Sequence, residues 1–236
     1  MKTFNIYVAS YHRWDTTKVH KLLEYCTYVV RKSEESMYRA AGIESIWAID
    51  DDLINGFAKV QNYIIENAPE DIVCVLDDDI EDFQYCLDNA VVIKDTMTPT
   101  AELERWGQLL ADLDIGVAGS RIIITIPYGY QQEFNLNAMI GPIRIYNRAK
   151  VKGRYVKMPF FSDTDFVLQE LLENRIILRP NYFGGNAVLE TNKGGMNTRR
   201  TKTVQEDTFN NVMLPKWGKY VSFNTKKNIT KIQVTR

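Results

Sequence analysis

Ile72-Val73-Cys74-Val75-Leu76-Asp77-Asp78-Asp79 passes from five apolar residues directly into three carboxylates. A short, unbroken apolar run reads as a strand covered on both faces, as in parallel sheets. Working outward toward the N-terminus, three further runs read as strands: Phe4–Ala9, Thr27–Arg31 and Ile46–Ile49. Helical signals separate them. Asp15 can cap a short helix carrying Val19, Leu22 and Leu23, and Ser33-Glu34-Glu35-Ser36 opens a helix ending near Gly42. Phe57, Val60 and Ile64 mark a helix that stops near Pro69. Strand-helix alternation of this kind predicts an α/β fold with a parallel sheet and right-handed crossovers. Ligands of such sheets bind beyond the carboxyl ends of the strands. Residues 10–13, 31–33, 50–52 and 77–79 then share one rim.

The second half mixes predicted strands (121–126, 139–146 and 176–178) with a helix over 164–174. Gly194-Gly195 reads as a loop, and residues 203–213 as a further helix. With 236 residues, 45% of them hydrophobic and 25% charged, the chain fits one globular domain. Cys26, Cys74 and Cys86 are odd in number and lack CxxC spacing, which predicts reduced thiols in a reducing compartment. The start MKTFNIYVAS is too short and polar for a signal peptide, and no apolar stretch approaches the roughly 20 residues that span a bilayer. The expectation is a cytoplasmic protein with no membrane partner.

The net charge of −1 conceals a split. Residues 193–236 carry ten basic residues against Glu206 and Asp207. A second basic run, Arg144, Arg148, Lys150, Lys152, Arg154 and Lys157, contains no acid. Both fit a surface for a polyanion, or simply a solvated face.

Three successive carboxylates at the end of a buried strand repel one another unless a cation neutralises them. Mg²⁺ or Mn²⁺ takes oxygen ligands and shares them with substrate phosphates. Alternation along a strand places Asp77 and Asp79 on one side and Asp78 on the other. The competing reading is that acids at a strand end cap the next turn, and it is preferred for Asp50-Asp51-Asp52.

The order of strand, Ser10-Tyr11-His12-Arg13, strand ending at Arg31, Gly56-Phe57-Ala58-Lys59 and Val75-Leu76-Asp77-Asp78-Asp79 resembles GT-A fold glycosyltransferases. Within them it most resembles the TET-associated and phage enzymes that decorate hydroxymethylated pyrimidines in DNA. The resemblance covers roughly residues 4–90 well and 155–200 more loosely. It implies a single GT-A domain over 1–236: a Rossmann-like, mostly parallel central sheet flanked by helices, with a mixed C-terminal half. Residues 1–90 would bind the nucleotide-sugar and 91–236 the acceptor. The implied reaction moves a sugar from a nucleotide-sugar, a UDP-sugar, to a hydroxyl, with hydroxymethylpyrimidine DNA as the acceptor and the host cytoplasm as the setting if the gene is a phage's.

Carried over residue by residue, the resemblance puts Ser10, Tyr11, Arg13 and Arg31 at the nucleotide and Lys59 near the sugar or diphosphate. Asp77 and Asp78 meet the donor, and Asp77 and Asp79 the Mn²⁺ or Mg²⁺. Asp163, in Ser162-Asp163-Thr164-Asp165, would be the general base, with Asp165 as substitute; Ser162 and Asp165 also have capping-box spacing. Lys193, Arg199 and Arg200 would close over the diphosphate. The family often supplies a late histidine ligand, but His12 and His20 are both early, leaving Asn186 or Asn197 as stand-ins. Trp106, Tyr128, Tyr130, Phe134 and Phe183 are either stacking platforms or core. Three alternatives stay open: a haloacid-dehalogenase-like phosphatase using Asp77, a non-catalytic nucleotide- or DNA-binding module, and a transferase with a glycan or protein acceptor.

Overall fold

A computed structural model describes residues 2–86, 89–121, 132–187, 201–225 and 229–234. In chain order the elements are β1 (Phe4–Ala9), β2 (Thr27–Arg31), α1 (Glu35–Ala40), β3 (Ile46–Ile49), α2 (Phe57–Asn67), β4 (Ile72–Asp77), β5 (Ile80–Cys86), β6 (Ala90–Val92), α3 (Met97–Asp112), β7 (Val117–Gly119), β8 (Phe134–Asn135), β9 (Ile143–Asn147), α4 (Ser162–Glu173), β10 (Arg179–Pro180), β11 (Phe183–Ala187), α5 (Lys202–Thr208), α6 (Leu214–Trp217), β12 (Val221–Asn224) and β13 (Ile229–Ile232).

The central sheet has the order β3-β2-β1-β4-β9-β7. Its first four strands are parallel, and β9 runs antiparallel between β4 and β7. The fold is thus α/β with a mostly parallel sheet and a mixed second half, as expected. Ile72 to Leu76 are all buried, because both faces of β4 are covered. On one face Ile6, Val8, Cys74 and Leu76 pack with Leu103 and Trp106 of α3. On the other, Tyr7, Val73 and Val75 pack with Ile64 of α2 and Phe166 of α4. Alternate residues of each strand supply the two cores, as the pleat requires. Gly119 lets β7 approach β9 closely, since a Cβ there would stand 2.7 Å from the Ile143 carbonyl oxygen.

Several local expectations are corrected. Asp15 caps nothing; a 3-10 turn at Val19–Lys21 follows Lys18 instead. α1 is preceded by a 3-10 turn, Lys32–Glu34, without a side-chain cap, because Glu34 turns inward and accepts from the His12 amide at 2.9 Å. Of residues 139–146, only those from Ile143 on form a strand. Of residues 176–178, Leu178 alone bridges to Ala118, and β10 follows it. The predicted helix over 203–213 becomes α5 and then a π-helical turn at Phe209–Met213. Most of the predicted strand 121–126 lies outside the described residues.

Four of the six residues of the basic run in the second half are engaged internally. Arg144 is buried against Asp77. Arg148 donates to the carbonyls of Ile65, Glu66 and Glu70. Lys150 pairs with Asp114 and Arg154 with Glu66. All three cysteines are free. Among the described residues, no helix is long and apolar enough to cross a membrane.

Candidate active site

From β1 the chain steps outward through β2 and β3, then returns to β4 on the other side of β1. The crevice beyond the ends of β1 and β4 is therefore the topological switch point, where ligands of open α/β sheets bind. Ala9 pairs with Asp77 at this junction. The segment starting at Ser10 therefore lies beside the carboxylates.

The alternation expected for Asp77 to Asp79 stops at Asp77, the last residue of β4; Asp78 and Asp79 form the turn into β5. Each carboxylate has its own environment. Asp77 forms a two-pronged ion pair with Arg144, at 2.7 and 3.2 Å. Asp78 accepts from the Ser10 hydroxyl at 2.7 Å and the Tyr11 amide at 3.3 Å. Arg13 Nη1 stands 3.0 Å from Asp78 and 3.3 Å from Asp79, an ionic contact without aligned hydrogen bonds. Arg13, Lys18, Asp78, Asp79 and Glu81 line a narrow cleft there.

Burial pushes the Asp78 carboxyl up to about 6, against the opposing pull of Arg13. Burial also raises Asp79, with the Asp77 charge as the next cause. Three carboxylates face two guanidinium groups, so one negative charge remains uncompensated. Such a hard-oxygen donor set fits Mg²⁺ or Mn²⁺, with Asp77 and Asp79 as the residues that would hold it. Among the described residues, no group of three or more His, Cys, Asp or Glu is placed to hold a metal ion by itself. Diphosphate and water would complete the coordination.

Arg144 is the residue that sequence reading misplaced. Its guanidinium lies 5.1 Å from the Phe57 ring, and Phe57 meets Tyr155 edge to face. The Tyr155 hydroxyl bonds to that of Tyr146 at 2.8 Å, and Tyr146 donates to Gln61 at 3.1 Å. Burial raises both phenols, so they act as neutral hydrogen-bonding groups. The signal was present in the sequence: an arginine inside Ile143-Arg144-Ile145-Tyr146 is buried with its strand and needs a carboxylate.

The remaining candidates fall in different places. The Arg31 guanidinium stacks 4.1 Å over the Tyr11 ring and donates to Asn55. The pair forms an exposed platform on the rim. Lys59 donates to the Asp52 carbonyl at 2.7 Å and so braces the loop after β3. In that loop Asp50 pairs with Lys32, and Asp51 accepts from the Ser33 amide.

Asp163 is half-buried in the first turn of α4, where its carboxylate accepts from the Thr164 amide at 2.8 Å. Asp165 does not fit a catalytic role: it is wholly buried and accepts from Lys216, Trp217 and Gln169. The capping box is absent too, because the Ser162 hydroxyl donates to the Val156 carbonyl.

Asn186 donates to Asp82. Trp106 and Phe183 are core side chains in edge-to-face contact, and Phe134 packs on Tyr182. Tyr128, Tyr130, Lys193, Asn197, Arg199 and Arg200 lie outside the described residues.

No known protein-family profile matches the chain, and a search of curated proteins finds no match. Among solved structures it is similar to S. aureus TarS 1–349, with 12% identity and a TM-score of 0.47, over 89% of this chain and 66% of that one. It is similar also to glucosyl-3-phosphoglycerate synthase from Mycobacterium tuberculosis in complex with Mn²⁺ and uridine-diphosphate-glucose. That match has 9% identity and a TM-score of 0.49, over 98% of this chain and 86% of that one. The same synthase in complex with Mg²⁺ and uridine diphosphate gives 10% identity and a TM-score of 0.49.

Proposed function

We propose that this chain is a metal-dependent GT-A glycosyltransferase that moves a sugar from a nucleotide-sugar, a UDP-sugar, to a hydroxyl acceptor. The observation that carries the reading is the carboxylate triplet at the switch point, left with one uncompensated negative charge by Arg13 and Arg144. A divalent ion bound there would offset charge growing on the departing diphosphate. The chain's own residues do the rest. The Tyr11–Arg31 platform receives the base, and the Ser10 hydroxyl fixes Asp78. Arg144 holds Asp77 in one orientation, so the site is set before the donor arrives. Asp163, in the first turn of α4, takes the proton from the acceptor hydroxyl if the reaction inverts the anomeric centre.

A thermal-shift titration with UDP-sugars, with and without Mn²⁺, tests this. A donor that binds only the folded chain at a hundred times its Kd adds about 2.7 kcal/mol of stability. The expected result is a metal-dependent rise in melting temperature that disappears in Asp79→Ala. A rise of equal size in the mutant, or none with any nucleotide-sugar, refutes the reading.

Hydroxymethylpyrimidine DNA is the finer proposal for the acceptor. It rests on the subfamily resemblance and on the C-terminal excess of basic residues, since the run from Arg144 to Arg154 is largely engaged internally. Transfer to hydroxymethylated duplex that falls steeply with added salt is the expected behaviour. Salt-independent transfer to a free glycan refutes it. Arg144 engages both carboxylate oxygens of Asp77, so a nucleophilic Asp77 of the phosphatase alternative would have to leave that pair, and a metal ion would have to share Asp77 with it.

A further inference from the structure

Two arginines on the acceptor side contrast with those of the carboxylate cleft. β7 and β4 are both antiparallel to β9, so they run parallel to each other. Arg121, two residues beyond β7, therefore leaves the sheet at the same rim as Asp77. Backbone bonds trace that rim directly: the Ser120 amide donates to the Ile143 carbonyl, and the Asp77 amide to the neighbouring Pro142 carbonyl. Leu178 pairs in parallel with Ala118, which brings Arg179 out beside them.

Arg13 and Arg144 each face carboxylates. Among the described residues, neither Arg121 nor Arg179 forms a salt bridge. Arg179 donates weakly to the Met139 carbonyl at 3.2 Å and the Asn181 side chain at 3.3 Å, and its buried Nε has no partner. Burial and the nearby Arg121 charge push Arg179 down to about 10. Two neighbouring cations, part-desolvated and without a counter-charge among the described residues, are unfavourable until an anion joins them. The guanidinium fork matches the oxygens of a phosphate or carboxylate. β7 lies two strands from β4 and the Leu178 bridge one spacing further, which sets Arg121 about 10 Å and Arg179 about 14 Å from Asp77.

We propose that Arg121 and Arg179 form a subsite for an oxyanion, a phosphate or carboxylate carried by the acceptor, beside the sugar-transfer centre. Only the assignment of the anion to an acceptor rests on the glycosyltransferase reading; the anion site itself does not.

Calorimetric titration of the full chain with inorganic phosphate, and separately with acetate, at constant ionic strength tests it. Binding of one or both is expected, at least ten-fold weaker in Arg121→Ala and Arg179→Gln. Should Arg179→Gln fail to fold, the more peripheral Arg121→Ala decides. A stronger response to phosphate assigns a phosphorylated acceptor, and one to acetate a carboxylated acceptor. Titration of UDP with Mn²⁺ runs alongside, and Arg121→Ala should leave it unchanged. Anion affinity that is unaltered in both variants, or abolished by saturating UDP, overturns the proposal. Anion binding lost in the variants of a chain that binds no UDP would uphold the subsite while removing the donor reading.

Discussion

Asp165→Asn is the substitution whose cost follows most directly from geometry. Its Oδ1 accepts from Lys216 Nζ at 2.7 Å and Trp217 Nε1 at 2.8 Å, and its Oδ2 from Gln169 Nε2 at 2.7 Å. Asparagine keeps one oxygen. If that oxygen stays with Lys216 and Trp217, the new amide group confronts the Gln169 amide, donor against donor. Gln169 cannot turn over to relieve this, because it is locked to Arg154 at both ends, accepting from its amide and donating to its carbonyl. Losing the charge on the Lys216 bond costs about 1–2 kcal/mol, and the buried unmatched donor about 1–3 kcal/mol. The expected total is about 3 kcal/mol, or a fall in melting temperature of about 6–12 °C for a chain of this size. Urea unfolding measures the first and differential scanning the second. Lys216→Met should cost less in the Asp165→Asn background than in wild type, since the ion pair it breaks is already gone. A loss under about 0.5 kcal/mol, or full additivity of the two substitutions, would refute the tether from α4 to the C-terminal elements.

Arg144→Met strands Asp77 beside an apolar pocket and should cost about 3 kcal/mol, the lower end for broken buried pairs because Asp77 is one-third exposed. Adding Asp77→Asn should recover part of that loss in the same unfolding assay. Asp78 gives a pH signature. An acid raised by folding contributes stability that is whole below the unfolded pKa near 4 and is lost as pH climbs through about 6. Wild type should therefore lose up to about 3 kcal/mol relative to Asp78→Asn across that window, without added metal; parallel pH curves would contradict this. Gly119→Ala forces a methyl group against the Ile143 carbonyl oxygen and the Ile140 side chain, and should lower stability by about 1–3 kcal/mol in chemical denaturation.

The parallel half of the sheet was legible because its strands are near-continuous apolar runs separated by helical spacing. β5 was not. Glu81, Asp82 and Gln84 interrupt its pattern, and only the pairing with β11 and β6 shows that Ile80, Phe83, Gln84 and Cys86 are buried within it. α3 was passed over although Leu103, Trp106 and Leu110 keep helical spacing; Pro99 occupies its first turn, where its missing amide hydrogen costs nothing. In the site, local sequence located the carboxylates and the loop from Ser10. It could not assign their partners, because the Arg144–Asp77 pair joins residues 67 apart. Counting Arg144 among surface cations came from the same blindness to long-range pairing. Asp165 shows the converse: the acidic residue beside a candidate base resembled its substitute, while its three donors come from α4 itself and the distant α6.

The position of β9 between β4 and β7 also bears on how the protein is made. During synthesis the segment from β1 to β4 emerges first and can begin to form its parallel sheet. At that stage Asp77, Asp78 and Asp79 have only Arg13 to balance them, and one edge of β4 lacks its neighbour. Both defects are repaired by a single event, the arrival of residues 143–147, which brings Arg144 and the missing strand together. A ribosome-bound chain cut short before β9 should thus hold a frayed β4 edge and a self-repelling acidic tip, and competence for binding phosphate compounds should begin abruptly, once that strand clears the exit tunnel.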